Sequence, residues 1–191
     1  MMKKTVFAFT LSCLLASPAF SHGYITEPAS RAANCKTGKN PAHMCGAVQW
    51  EPQSIEALSG YPEGYYPPDG QLASGGIERF LPLDVPRDNW HQMTVKPGTA
   101  MFTWKITAAH KTRNWRYYIT RPDWHPGESL TRASFETKPF CFYDGKNQIP
   151  PQSVTHQCNI PERKGAQIIY GVWEIADTAN SFYQVIDVRF D

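Results

Sequence analysis

Six histidines give this 191-residue chain its imidazole nitrogens, and His22 holds the position with the most chemical promise. It follows the stretch ASPAFS, where Ala19 and Ser21 put small side chains three residues and one residue before the next peptide bond. That is the small-x-small pattern of a leader cleavage site. A cut after Ser21 makes His22 the first residue of the mature chain, with a free α-amine and an imidazole on one residue. Both groups lose their protons near neutral pH, so together they chelate a metal readily. One further histidine would complete a planar set of three nitrogens, which suits Cu(II) better than zinc, magnesium or calcium. His43, His91, His110, His125 and His156 are the candidates. His110 is favoured, because TAAHKTRNW puts it just past an alternating strand that ends at Ala108, where it would project from the end of a sheet. The others fall in turn-rich or loop-like contexts and are expected to be solvated or bonded locally. Some residue must follow every cleavage site, so the position of His22 alone decides nothing.

The leader itself reads clearly. Residues 1–21 carry Lys3 and Lys4, an apolar run from Val6 to Ala16 too short to span a bilayer, and the cleavage pattern. A secreted, extracellular protein is expected, its mature part a single domain over 22–191. Removing Lys3 and Lys4 from the 19 Lys and Arg leaves 17, which balances the 17 Asp and Glu. A neutral chain has no basic excess for a phosphate backbone, so nucleic acid is excluded as the expected partner, and no later apolar run suggests a membrane. Cys35, Cys45, Cys141 and Cys158 remain after the leader is lost, and an even count in an exported chain reads as two disulfides. Four cysteines allow three pairings, and the sequence does not choose among them. Cys35–Cys45 with Cys141–Cys158 is favoured, since each pair closes a short loop between expected strands. No CxxC pair supports zinc.

These groups need a scaffold. In AMFTWKITA, Phe102, Trp104, Ile106 and Ala108 share one face. In SFYQVIDVRF, Phe182, Gln184, Ile186, Val188 and Phe190 do the same. WRYYIT and QIIYGVW are rich in aromatic and β-branched residues, and 16 prolines with 13 glycines keep the elements short. An all-β, immunoglobulin/fibronectin III-like antiparallel β-sandwich is expected. The region from Cys35 to about Gly76 has no strand period, and EPQSIEALSG is at best a short helix. An irregular stretch of this length is usually functional. With Trp50, Tyr61, Tyr65 and Tyr66, it is expected to be a long loop and short-helix insertion that presents the binding surface.

HGYITEPASRAANC at the mature start resembles the bacterial chitin-binding lytic polysaccharide monooxygenases, auxiliary-activity copper enzymes. The resemblance continues through QWEPQSIEALSG, FTWKITAAHKTRNWRYYIT, LTRASFETKPFC, VTHQCNIP and VWEIADTANSFYQVIDV. It implies that His22 and His110 form a histidine brace for one copper ion per chain. It implies that Phe182 packs on one axial side of the metal, that Ala108 crowds the other, and that Glu56 is the acidic group near the open position. Thr107 and Trp173 are implied as further near-site residues. A flat substrate face is implied at Trp50, Glu51, Pro52, Glu56, Thr107, Asp177 and Asn180. Trp50 stands where a relative carries tyrosine, and PEGYYPPDG is longer and more aromatic than in that relative, which would extend the surface.

The activity implied is oxidative cleavage of crystalline chitin at C1, with cellulose as the other substrate to consider. An external electron donor and H2O2 or O2 would be required, and the protein would act as a monomer. Two other functions fit parts of the sequence: a non-catalytic chitin-binding or adhesion protein, and a periplasmic copper carrier. A paired-carboxylate glycosidase is disfavoured, because nothing singles out an acid and a base across a cleft.

Overall fold

Alternating apolar residues make the second half of the chain a set of paired strands, and two of these strands are buried on both faces. The computed structural model describes residues 22–191, and the leader expected over 1–21 lies outside the described residues. One sheet has three strands in the order β1 (His22–Glu27), β4 (Gly98–Ala108), β7 (Ser153–Ile160). The other has six and runs β2 (Glu56–Leu58), β9 (Asn180–Phe190), β8 (Gly165–Ile175), β5 (Thr112–Ile119), β6 (Cys141–Gln148). The sixth, β3 (Met93–Val95), pairs in parallel with the end of β9. All other pairings are antiparallel, so the expected sandwich is what forms.

Two cores hold it together. Between the sheets, Ile25, Phe102, Trp104 and Ile106 face Trp115, Tyr117, Ile169, Trp173 and Ile186. On the outer face of the larger sheet, Tyr118, Tyr170, Val172, Tyr183 and Val185 pack against Met44, Val48, Leu72, Phe80 and Trp90. This second core explains why the residues of β9 that alternate with Phe182 and Ile186 are buried as well.

The insertion is more regular than its sequence suggests. It opens with α1 (Arg31–Lys36), whose first turn is capped by Ser30 accepting from the Ala33 N–H at 3.1 Å. Next come α2 (Ala42–Cys45), 3-10 turns over 46–49 and 52–54, and β2. The segment EPQSIEALSG, expected as a short helix at best, is therefore a 3-10 turn followed by a strand. Arg31 ties the insertion to the sheet, donating from Nε to Asp187 Oδ2 at 2.9 Å and from Nη1 to the Leu83 carbonyl at 2.6 Å.

Both expected disulfides form. Cys35–Cys45 joins α1 to α2, so its loop lies between helices and not between strands as expected. Cys141–Cys158 joins β6 to β7 and so ties the two sheets together. All four sulfurs are covalently paired, which removes them as thiolate metal ligands. Among the described residues, no helix is long and apolar enough to cross a membrane.

Candidate metal centre and its surrounding face

β1 is an edge strand of the small sheet, and its pairing with β4 sets the site. His22 lies opposite Ala108, and Thr107 Oγ1 donates to the His22 carbonyl at 3.4 Å. His110 is two residues beyond Ala108, so register alone brings the two histidines to one end of the sandwich. Asp177, in the β8–β9 turn, holds His110: its Oδ1 is 3.1 Å from His110 Nδ1. With Nδ1 engaged, Nε2 is the nitrogen left for a ligand, the arrangement by which an outer carboxylate orients a metal-binding imidazole.

The floor of this end is aromatic. Gly23 lies against Trp173 so closely that a Cβ there would come within 2.8 Å of the indole. Trp173 and Phe182 are fully buried and stacked, with ring centroids 4.9 Å apart. Glu56 pairs with Phe182 across β2 and β9. Asn180 Nδ2 donates to Glu56 Oε1 at 3.0 Å, which fixes the carboxyl group beside the buried phenylalanine. His22, Thr107, Ala108, His110, Asp177, Asn180, Glu56, Trp173 and Phe182 thus belong to one end of the fold.

The other residues expected on the face divide. Trp50 is 77% exposed and projects beyond the 3-10 turn that precedes it. Glu51 is partly exposed and pairs with Arg79, Nε to Oε1 at 2.9 Å. Pro52 does not fit the expectation: it is buried, and its carbonyl accepts from Gln184 Nε2 at 3.2 Å, so it anchors the segment instead of presenting a surface. Tyr61, expected among the surface aromatics, is 2% exposed, with its ring edge-on to Tyr118 and Tyr170. A tyrosine beside Pro and Gly reads as loop decoration until a second core is there to receive it.

His156, expected in a loop, lies in β7 and is 3% exposed. Its Nδ1 is 2.7 Å from the Tyr117 hydroxyl, which accepts from Trp104 Nε1 at 2.9 Å. Tyr117 therefore donates to a neutral His156, and burial pushes the imidazole down to about 4. This histidine belongs to the inter-sheet core and not to the end that carries His22 and His110. Sequence reading missed Thr112, which accepts from Trp173 Nε1 at 2.8 Å and donates to the His110 carbonyl at 3.4 Å. Its position two residues after His110 was the only clue.

Two histidines and a carboxylate that orients one of them do not close a cage. Among the described residues, no three His, Cys, Asp and Glu side chains converge on a metal position. A metal held here would need a third ligand from another group, and the α-amine of a chain starting at His22 would be a nitrogen donor of the right kind. The donors are then all nitrogen, a set that fits copper.

Residues 22–188 match a family model described as lytic polysaccharide mono-oxygenase, cellulose-degrading. The GlcNAc-binding protein A of Photobacterium profundum is 49% identical over 200 residues, covering 99% of this chain and 40% of that protein. The protein of the same name from Shewanella oneidensis is 50% identical over 181 residues, covering 94% and 38%. The chain therefore spans about two fifths of the length of these relatives. Among solved structures, an AA10 LPMO from Photorhabdus luminescens superposes with a TM-score of 0.85 at 42% identity, covering 89% of this chain and 99% of that one. The catalytic domain of an LPMO from Listeria monocytogenes gives 0.83 at 40%, covering 89% and 99%. A Bacillus amyloliquefaciens CBM33, solved in complex with Cu(I) after photoreduction, gives 0.82 at 38%, covering 89% and 100%.

Proposed function

The chain belongs to the lytic polysaccharide mono-oxygenase family, and from that premise we propose that it is a secreted, copper-dependent monooxygenase that cleaves crystalline chitin at C1 of the glycosidic linkage. The observation that carries the reading is the pairing of His22 with Ala108, which brings His110, steadied by Asp177, to the same end of the sandwich. His22, through amine and imidazole, and His110, through Nε2, would hold one copper ion. Copper bound there supplies one-electron cycling between Cu(II) and Cu(I) and the activation of H2O2 or O2, with electrons from an external donor.

The chain's own residues do the rest. A crystalline polysaccharide cannot enter a cleft, so the protein must meet it with an exposed face. The Trp50 ring stacks on the sugar, while Glu51, Thr107, Asp177 and Asn180 bond hydroxyl and acetamide groups. Phe182, backed by Trp173, keeps water from one side of the metal position, and half-buried Ala108 crowds the other. Glu56, held through Oε1 by Asn180, is the carboxyl group able to hold and return a proton at this face. Hydroxylation at C1 takes its oxygen from H2O2, or from O2 with two donor electrons. The C1–O glycosidic bond would then break, releasing the next sugar as its alcohol and leaving a lactone, which water opens to an aldonic acid end. The protein acts as a monomer, and chitin is preferred over cellulose because two relatives about half identical to this chain bear the name GlcNAc-binding.

That same name favours a second reading, a chitin-binding protein without catalysis, which would need Trp50 but neither histidine. A periplasmic copper carrier accounts for the histidines and gives the exposed Trp50 no purpose. The test uses secreted protein whose start at His22 is verified by mass spectrometry. Copper-loaded protein, β-chitin, a reductant and peroxide should yield oxidised chito-oligosaccharides. His110→Ala, and a form with one extra residue before His22, should each lower that yield at least about a hundredfold. Tight chitin binding without any oxidised product would leave only the binding protein standing.

A further inference from the structure

The insertion carries a second aromatic feature that the metal centre does not use. Tyr65 is 73% exposed and Tyr66 41%, with ring centroids 5.2 Å apart and ring planes 89° apart. Scattered exposed aromatics need no explanation, but these two stand on a loop that is tied down at several points. Arg132, from a 3-10 turn far along the chain, reaches under it: Nε donates to the Pro62 carbonyl at 3.0 Å, Nη2 to the Gly64 carbonyl at 2.5 Å, and Nη1 to Asp69 Oδ1 at 2.9 Å. The guanidinium lies 5.6 Å from the ring of buried Tyr61, and the Gly64 N–H donates to the Gly60 carbonyl. A loop fixed this firmly holds its exposed rings ready, so little ordering entropy remains to be lost when a partner arrives.

The loop is also continuous with the face already described. It leaves directly from β2, where Leu58 pairs with Asn180 and the Ser59 N–H donates to the Ala179 carbonyl at 2.8 Å. It then folds back, so that a Cβ on Gly60 would come within 2.8 Å of the Tyr66 carbonyl oxygen. Beside Tyr65 runs an open groove of about 340 Å3, lined by Glu63, Gly64, Tyr65, Asp69 and Arg132. Arg132 Nε, Nη1 and Nη2 each bond the loop, and Asp69 Oδ1 is taken by Arg132, so the carboxylate the groove offers is chiefly that of Glu63. A ring face flanked by acceptors suits a neutral, hydroxyl-rich chain lying across an open surface. With Asp69 paired to Arg132, the Glu63 charge leaves the groove nothing cationic to draw an anionic lipid surface.

We infer that Tyr65 and Tyr66, on the Arg132-clamped loop, form a second sugar-stacking subsite that extends the contact with a chitin chain outward from β2. This rests on the proposed substrate class but not on the copper chemistry. It is tested with metal-free protein by binding isotherms on β-chitin, comparing wild type with Tyr65→Ala/Tyr66→Ala and Tyr65→Phe/Tyr66→Phe. The alanine pair should bind roughly twofold to tenfold more weakly, the value of one or two aromatic contacts, and the phenylalanine pair should bind like wild type. Unchanged melting temperatures would show that the loop still folds. Wild-type affinity in the alanine pair, alongside a clear loss in Trp50→Ala, would overturn the subsite and leave the function intact. A wild-type protein that does not bind chitin at all would overturn both.

Discussion

Gly23 is what allows β1 to bring His22 to the proposed metal position. With no side chain, it lets β1 lie against Trp173 and Ile106, where a Cβ would come within 2.8 Å and 3.0 Å of side-chain atoms. Trp173 cannot retreat, because it is stacked on Phe182 and bonded to Thr112. Gly23→Ala should therefore push β1 outward and cost about 1–3 kcal/mol of stability, as overpacking does. Because His22 moves with the strand, the Cu(II) electron paramagnetic resonance spectrum should change in the same variant. An unaltered spectrum would mean that the strand yields without moving the histidine. The glycine is visible in the sequence, but its reason is not, since Trp173 lies 150 residues away.

Among the elements, β6 and β7 are held by an unusual division of labour. They follow one another in the chain yet belong to different sheets, and Cys141–Cys158 is the covalent tie between them. The bridge closes a loop of 17 residues, so its removal should cost about 3 kcal/mol through the freedom restored to the unfolded chain. Urea unfolding of Cys141→Ser/Cys158→Ser would measure this. A midpoint matching that of wild type would show that sheet packing alone fixes the two strands. Short chain distance favoured the pairing without fixing it, and the tie between sheets was not legible, because alternation in β6 and β7 gives no hint of which sheet each joins. The insertion was harder still. α1, α2 and β2 are too short to show a period, and they are held by capping, by the Arg31–Asp187 pair and by the second core.

At the scale of the molecule, the sandwich is closed by a buried polar chain from Trp104 of one sheet, through Tyr117 of the other, to His156 of the first. Trp115 and Tyr143 also face this imidazole, and burial keeps it neutral, down to about 4, against an ordinary 6.5. The sign follows: below pH 6.5 the unfolded chain takes up a proton that the folded one refuses. The stability due to neutral His156 is whole above pH 6.5 and declines as pH falls toward 4, by roughly 3 kcal/mol at most. Unfolding free energies from pH 7.5 to 4 should fall less steeply for His156→Gln than for wild type. Parallel curves would place the acid sensitivity in carboxylates elsewhere.

Local pattern and residue chemistry were enough for the strand-rich class, for two disulfides and for His22 with His110 as a candidate pair, while the family resemblance pointed to Trp50 on an exposed face. Alternation reports which face of a strand is apolar, and a cleavage pattern reports where a chain is expected to begin. Only the tertiary structure decided that Pro52 and Tyr61 are buried, that His156 is core, and that Asp177 steadies His110. It alone showed Arg132 holding the Tyr65–Tyr66 loop. Those assignments depend on partners tens to more than a hundred residues apart, and such a partner leaves no periodic trace at either end.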